Sequence, residues 1–299
     1  MMPNTTQARL LVTGAGGHLG RRVVELLLLE AGATNVVAAS RDPGKLEDLR
    51  AGGAETLKVD FDDPATLDAA FAGVDRLLIV STDALGVPGQ RLRQHRAAVD
   101  AAARTGVKHI VYTSMPNPEP GSLIPFAPDH YETEQAIEKS GVAFTILRNG
   151  WYQENLIGSL PQSLASGKWF TATGDGRVAH VAREDAAQAA AAALCSDTAD
   201  SARYDITGPT ALMTVEIAAI ASEVAGKPIE VVEVSDEQLA EGMAKAGVPA
   251  PYVGLLVAFD ANTRAGKADI ASDAVKRLTG REPQSLRDFL TAHWAALSS

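Results

Sequence analysis

Cysteine is almost missing from this 299-residue chain: Cys195 stands alone. One thiol makes no intramolecular disulfide and no zinc-type cluster, so neither device holds the fold together. Set after the alanine-rich run AAQAAAAAL, it reads as a small buried hydrophobe rather than a reactive thiol. Positive charge is also short, with 27 Lys and Arg against 37 Asp and Glu and a formal net charge of -10. Nucleic-acid proteins usually show a basic face, so no nucleic-acid partner is expected. An anionic ligand is still allowed, because local charge and backbone dipoles decide that. Long apolar runs are lacking too. LLLL and VGLLVAF fall far below the roughly 20 residues that span a bilayer. MMPNTTQAR lacks the apolar centre of a signal peptide. The expectation is a cytoplasmic protein with no membrane partner.

What is present is regular alternation. RLLVTG, NVVAAS, ETLKVD, RLLIVS, KHIVYTS and AFTILRNG are apolar runs short enough for buried strands. Between them lie RRVVELLLLEA, PGKLEDLRAG, DDPATLDAAFAG, GQRLRQHRAAVDAAARTG and DHYETEQAIEKSG, all with helical spacing. Asp63 with Pro64 marks a helix start, where proline gives up an N–H that has no helical partner anyway. Gly106 closes the longest helix. Parallel neighbours need a crossover, so this order predicts a parallel sheet covered by helices on both faces. The expected class is α/β, a Rossmann-type doubly wound sheet built from residues 1–150.

Past Gly150 the pattern loosens. WYQENLIGSLPQSLASG reads as a helix interrupted by Pro161, and VAREDAAQAAAAALC as a helix over 182–195 that packs back on the main sheet. ARYDITG and IEVVEV read as strands, and TVEIAAIASEVAG as a helix capped by Thr214. In SDEQLAEGMAKAG, Ser235 and Gln238 have capping-box spacing. The remainder, ending in SLRDFLTAHWAAL, is mostly helical. The strands are too few for a second doubly wound sheet. Residues 151–299 are expected to form a smaller α+β lobe over one end of the first domain.

VTGAGGHLG places its glycines between a strand and a helix, and each has a physical reason. Gly14 turns the chain sharply, Gly16 or Gly17 lets backbone approach a pyrophosphate, and Gly20 lets the helix pack close to the strand. With Ala15, His18 and Leu19 they open a helix whose free N–H groups and positive dipole end suit phosphates. The competing reading is a tight turn that binds nothing. At the end of the second strand stands Ser40-Arg41, with Lys45 a turn later. A carboxylate there would take the ribose hydroxyls of NAD(H). A guanidinium pairs instead with a 2′-phosphate, so NADP(H) is expected over NAD(H). Asp60 and Phe61 flank the adenine, or else Phe61 is core and Asp62 or Asp63 a helix cap. Ser81-Thr82 and Thr113-Ser114 end the next strands, where open parallel sheets bind ligands. They border the nicotinamide half or cap the following turns.

These residues resemble the NmrA-like branch of the atypical short-chain dehydrogenase/reductase family. VTGAGGHLG, ASRDPGK, GVKHIVYTS, DHYETEQAIEKSGVAFTILRNGWYQENL and TGDGRVAHVAREDAA run in family order from about residue 9 to 190. Within the branch the chain is most similar to bacterial type-2 NAD(P)H:quinone oxidoreductases, with triphenylmethane-dye reductases next. The resemblance implies that the glycine turn and Arg41 hold NADP. It also implies that the segment after the sixth strand borders the nicotinamide and substrate cleft. That points to Asn149, Gly150, Trp151, Tyr152 and Asn155, and to Gly174 and Arg183.

Typical short-chain dehydrogenases use Tyr-x-x-x-Lys, a spacing that puts both side chains on one helix face. The ammonium then lowers the tyrosine pKa. Here Tyr131 has Gln135 four residues on, and an amide carries no charge. Lys139 lies two turns away, on the order of 12 Å along the axis. Tyr131 is a proton donor or a cleft-lining aromatic. His130 is a proton source or a helix-start residue satisfied locally. Ketone reduction needs a positioned acid at the developing alkoxide. A quinone spreads that charge over a ring and tolerates its loss. The expected function is hydride transfer from NADPH to a quinone or similar flat conjugated acceptor, with Trp151 and Tyr152 stacking on it or filling core between the lobes. Two rivals stand: a non-catalytic NADP(H)-binding redox sensor that regulates a partner protein, and a triphenylmethane or azo dye reductase. NGWYQEN favours the reductases. No metal is expected, and a homodimer stays open.

Overall fold

The run Leu10–Val12 (β1) lies at the middle of a seven-stranded parallel sheet in the computed structural model, which describes residues 8–30 and 35–294. The amino-terminal segment scanned for a leader lies largely outside the described residues, as do Ala31 and the last residues of the C-terminal helical run. On one side of β1 follow β2 (Val36–Ser40) and β3 (Glu55–Lys58). On the other come β4 (Arg76–Ile79), β5 (His109–Ser114), β6 (Ala143–Asn149) and β9 (Ala202–Ile206). The Rossmann-type doubly wound sheet expected from the alternation is what forms. ARYDITG, in the looser half of the sequence, supplies its edge strand beside β6.

Alternate residues of each central strand feed different cores, so these strands are apolar throughout. Leu10 and Val12 pack with Val23, Val24 and Leu27 of α1 (His18–Glu30) and with Leu49 of α2 (Glu47–Ala51). Leu11 points into the other layer with Leu77, Ile79, Ile110 and Tyr112. That second face is covered by α3 (Pro64–Phe71), α4 (Gln90–Thr105) and α5 (Ala127–Ser140). Helix α7 (Arg183–Cys195) joins α1 on the first face through buried alanines, including Ala186, Ala187, Ala190 and Ala193. Asp63 caps α3 by accepting the Ala65 N–H, with Pro64 in the first turn, and Gly106 ends α4 in the left-handed region.

The smaller lobe has its own core, where α6 (Asn155–Ser166), α8 (Thr214–Ala225) and α12 (Leu286–Ala292) meet. Two short pairs complete it, β7 (Lys168–Thr171) with β11 (Glu230–Glu233) and β8 (Arg177–Val178) with β10 (Leu212–Met213). Helices α9 (Asp236–Lys245), α10 (Ala250–Arg264) and α11 (Ala274–Thr279) follow. Ser235 and Gln238 make the reciprocal capping bonds expected of them.

Three local expectations are corrected. Pro161 sits inside α6 without ending it. The lost backbone bond costs about 3 kcal/mol, whereas burying Leu156, Leu160 and Leu164 on one face returns about 2 kcal/mol each. Trp151 and Tyr152 precede that helix as extended chain, bridged at Tyr152 to Val181. Thr214 does not cap α8. Its hydroxyl lies 2.7 Å from Thr173 Oγ1, and the Met213 N–H is taken by the Glu216 carboxylate.

The turn after β1 is close-packed. Gly14 has φ +64°, and a Cβ on Gly20 would sit 2.5 Å from the Gly14 carbonyl oxygen. Gly20→Ala should therefore destabilise the protein by about 1–3 kcal/mol in chemical denaturation, because only backbone stands in the way. Gly158, in α6, is the control, since a Cβ added there would meet nothing within 4 Å. At that position Ala should leave stability unchanged or raise it by about 0.5–1 kcal/mol. Equal effects at the two positions would show that the α1 turn is not close-packed.

Candidate functional site

Two cavities open at the carboxyl ends of the parallel strands and meet at Val80 and Ser81, just past β4. The first, about 570 Å³, is the glycine cleft. Gly14, Gly16 and Gly17 line it beneath the start of α1, and the first turn of that helix carries no acidic residue to offset its positive end. A Cβ on Gly16 would fill the cradle, 3.1 Å from Ser40 Oγ. Arg41 and Lys45 form the rim. Lys45 lies 4.0 Å from Asp42, whose other oxygen takes the Gly44 N–H, so Arg41 is the rim cation with no partner among the described residues.

Asp60 and Phe61 line the far wall, and Phe61 is at the same time part of the core. Asp62 accepts from Gln90 and Gln94 at 3.0 and 2.7 Å. The other side-chain atom of Gln94, Oε1, is buried with no partner, as is Thr82 Oγ1. Both residues line the cleft. A cleft with a glycine cradle, an exposed cation and two orphaned buried oxygens suits a phosphorylated dinucleotide.

The second cavity, about 560 Å³, has a sheet side and a lobe side. Leu19, Ser81, Thr113, Ser114, Asn149 and Gly150 form the sheet side. Ser81 N–H donates to Thr113 Oγ1 at 2.9 Å. The Ser114 hydroxyl donates to Glu134 at 2.5 Å, and that buried carboxylate is clamped by Arg148 at 2.7 and 3.0 Å. Asn149 donates to Tyr152 Oη at 3.1 Å and leaves its own Oδ1 buried and unpartnered. Burial raises the Tyr152 pKa. Trp151 stands 3.8 Å from Phe259 of α10, ring centre to ring centre. Asn155 also lines this cavity.

Some candidates lie elsewhere. Tyr131 lines neither cavity, and Gln135 bonds Glu138 at 3.0 Å. Ala15 is buried behind the turn, its N–H on the Ala39 carbonyl at 3.0 Å. His18 is exposed, and Gly20 packs against the turn rather than facing the cleft. Arg183 stacks on the outer side of the site, 5.3 Å over the Tyr152 ring, and Gly174 packs near Arg264. Among the described residues no cluster of His, Cys, Asp and Glu is arranged to hold a metal. No described helix is long and apolar enough to cross a membrane.

His130 does line the second cavity, with two neighbours the sequence did not single out, Arg91 and Phe126. Arg91 Nη2 lies 2.9 Å from His130 Nε2 and can only donate, so Nε2 accepts and the ring proton resides on Nδ1. Nδ1 is 2.9 Å from the Tyr112 hydroxyl. His95 is fixed in the same way: Nε2 takes the Thr82 N–H at 3.0 Å, and Nδ1 faces Thr133 Oγ1 at 3.0 Å. Burial first and Arg91 second hold both rings neutral, His95 pushed down to about 3 and His130 well below the usual histidine range. On the lobe side, Thr214, Thr173 and Thr171 form a hydroxyl chain ending on half-buried Asp260. Burial raises the Asp260 pKa.

A family model described as NAD(P)H-binding matches residues 14–197. A solved structure of the NADPH-dependent quinone oxidoreductase from Escherichia coli, complexed with NADPH, is 33% identical, with a TM-score of 0.90 over 95% of this chain and 99% of that one. The Citrobacter sp. triphenylmethane reductase complexed with NADP(H) is 33% identical, with a TM-score of 0.89 over 95% and 99%. An NAD(P)H azoreductase of Xenophilus azovorans is 32% identical over 97% of this chain and 99% of its own. These relatives lend no support to a non-catalytic sensor.

The buried histidines make stability depend on pH. His109 and His180 are pushed down to about 4 by burial, alongside His95 and His130. Below the unfolded value near 6.5 the unfolded chain binds protons that the folded rings refuse, so stability falls with pH. The slope reaches about 1.4 kcal/mol per pH unit for each ring. Burial raises Asp129, Asp185, Asp205 and Asp260, which works in the opposite sense, so a difference measurement is cleaner. His109→Asn should be less stable than wild type at neutral pH, and the gap should narrow as pH falls from about 7 to 5. A constant gap in thermal melts would mean that His109 takes up its proton as readily in the folded protein as in the unfolded chain.

Proposed function

The chain belongs to the NAD(P)H-binding reductase family, and from that premise we propose that it transfers a hydride from NADPH to a quinone or similar flat conjugated acceptor. One observation carries the reading: the glycine cleft runs at Val80 and Ser81 into an aromatic-walled cavity whose wall carries no Tyr-x-x-x-Lys helix pair. Gly14, Gly16, Gly17 and the start of α1 would hold the pyrophosphate, and Arg41 with Lys45 the 2′-phosphate. Asp60, Phe61, Thr82 and Gln94 would receive the adenosine half, and Ser81, Thr113 and Asn149 the nicotinamide half. Bound there, the cofactor supplies the hydride.

The wall decides which acceptors are reducible. Ser114 commits its hydroxyl proton to Glu134, His130 keeps its proton on the side of Tyr112, and Tyr131 is outside the cavity. A ketone becoming an alkoxide finds no Tyr-x-x-x-Lys acid here. A quinone, which delocalises the incoming charge, needs only the positioning that Trp151, Phe259 and the sheet side provide. Dyes with extended conjugation are the nearest alternative acceptors. A cytoplasmic setting, which supplies NADPH and keeps thiols reduced, fits the same reading.

Loss of NADPH absorbance on adding naphthoquinone tests the proposal directly. Clear NADPH binding without consumption by any quinone or dye would overturn it. Arg41→Ala should weaken NADPH about 10–100-fold, the worth of one charged hydrogen bond, and NADH hardly at all. Equal loss for both cofactors would remove Arg41 from the 2′-phosphate. Tyr131→Phe should retain most naphthoquinone turnover, and near-abolition would return Tyr131 to the chemistry.

A further inference from the structure

Arg91 is the least explained charge in the molecule. It lies in the first turn of α4 at 6% exposure, on the wall of the second cavity. Its Nε donates to the Thr82 carbonyl at 2.7 Å and its Nη2 to His130, while its Cζ lies 5.2 Å over the Phe126 ring. Nη1 is buried and has no partner. No carboxylate forms an ion pair with it among the described residues; Asp129 and Asp83 act only at a distance. Arg148 meets Glu134 and Glu119, and Arg22 meets Glu184 and Glu25. Arg76 shares the pattern of Arg91, with only the Thr198 and Ala193 carbonyls as partners and Nε unpartnered, but it lies away from both cavities.

A buried guanidinium stays charged and is costly without an anion. Its two bonded nitrogens fix the plane of the group, and neutral His130 offers a proton-free lone pair without neutralising the charge. What is left is one unpartnered N–H nitrogen on a buried cation of the cavity wall, whose other charged lining groups among the described residues, Lys267 and Asp260, lie on the lobe side and are not buried. We propose that Arg91 is the oxygen-binding residue of the acceptor cavity, holding a carbonyl oxygen that becomes negative during reduction, and that it selects quinones and anionic aromatics over cationic dyes. The inference rests on the hydride-transfer reading above.

The step balances without proton donation by Arg91. One bond to hydrogen breaks on the reduced cofactor and one forms on the acceptor, which gains two electrons. Negative charge then gathers on the acceptor oxygen, where the guanidinium stabilises it electrostatically. A proton from water completes the hydroquinone. A cationic triarylmethane dye has no such oxygen and brings its own positive charge toward Arg91, so the same group disfavours it.

Calorimetry on the NADP-loaded protein with three redox-inert probes tests the site without turnover: naphthoate, naphthylmethanol and naphthylmethylammonium. Naphthoate should bind at least about tenfold tighter than the alcohol, with the ammonium weakest. Arg91→Met should erase that order and lower kcat for naphthoquinone about 100-fold, the usual effect of losing one oxyanion donor. NADP affinity, which shares the Thr82 support that Arg91 also gives, should fall far less than naphthoquinone kcat, and turnover of a cationic triarylmethane dye should fall less still or rise. Equal affinities for the three probes in the wild type would overturn the assignment. So would an Arg91→Met protein of native near-UV circular dichroism that keeps naphthoquinone kcat within about threefold. If the methionine variant does not fold, the wild-type probe order decides alone. A wild type that consumes NADPH with none of the acceptors but still ranks the probes as expected would sink the reductase reading and leave the anion site standing.

Discussion

The peptide unit of Thr82 is held from both sides by one helix, and the site is organised around that grip. Its N–H goes to His95 and its carbonyl to Arg91, both on α4. Gln94, between them, lines the glycine cleft and donates to Asp62. The strip Arg91, Gln94 and His95 therefore fixes the chain leaving β4 at the point where the two cavities meet. It also joins the cofactor side to the acceptor side through rigid hydrogen bonds, because buried polar groups with definite tautomers have few alternative arrangements. A parallel sheet alone would leave the strand end as a free loop.

Charge in the interior is distributed unevenly, and the unevenness has a logic. Glu134 takes Ser114, Arg148 and Arg203, so its negative charge is consumed in structure. The arginine on the opposite wall is given only neutral partners. Pairing Arg91 with a carboxylate would have removed the desolvation cost, and it would also have cancelled the field inside the cavity. The two neutral histidines keep the polar network satisfied while adding no charge of their own. The cavity thus faces its contents with a net positive wall and a ring of aromatic and hydroxyl groups.

How much of this the sequence disclosed depended on the range of the interaction. The strand–helix alternation, the glycine turn and the Asp63 and Ser235 caps are local rules, and the structure follows them. Tyr131 with Gln135 was legible for the same reason, as a spacing within one helix. Arg91 was not picked out, although a signal existed. Arg91, Gln94, His95, Ala98, Val99 and Ala102 fall on one buried face of α4, so polar residues occupy apolar positions of the period. Phe259 and its helix gave less warning, because VGLLVAF fits any half-buried helix. That it completes the acceptor wall follows only from how the second lobe folds over the sheet. Pro161 misled for the opposite reason: a strong local rule lost to three leucines in a shared core.

The two walls of the acceptor cavity are held by different means. The sheet side is continuous hydrogen-bonded strand. The lobe side is keyed by close backbone contacts, where a Cβ on Gly176 would lie 2.3 Å from the Thr263 carbonyl oxygen and one on Gly208 would lie 2.0 Å from that of His180. Asn262 adds a bond to the Leu123 N–H at 3.1 Å. These contacts locate α10 through its backbone and leave Leu256 and Phe259 to define the shape of the cavity. Exchanging those side chains therefore alters volume without loosening the lobe. Charge comes from both sides, from buried Arg91 of α4 and from the less buried Asp260 and Lys267 of the lobe. Leu256 and Phe259 carry none, so the size of an acceptor and its polarity are set by different substitutions.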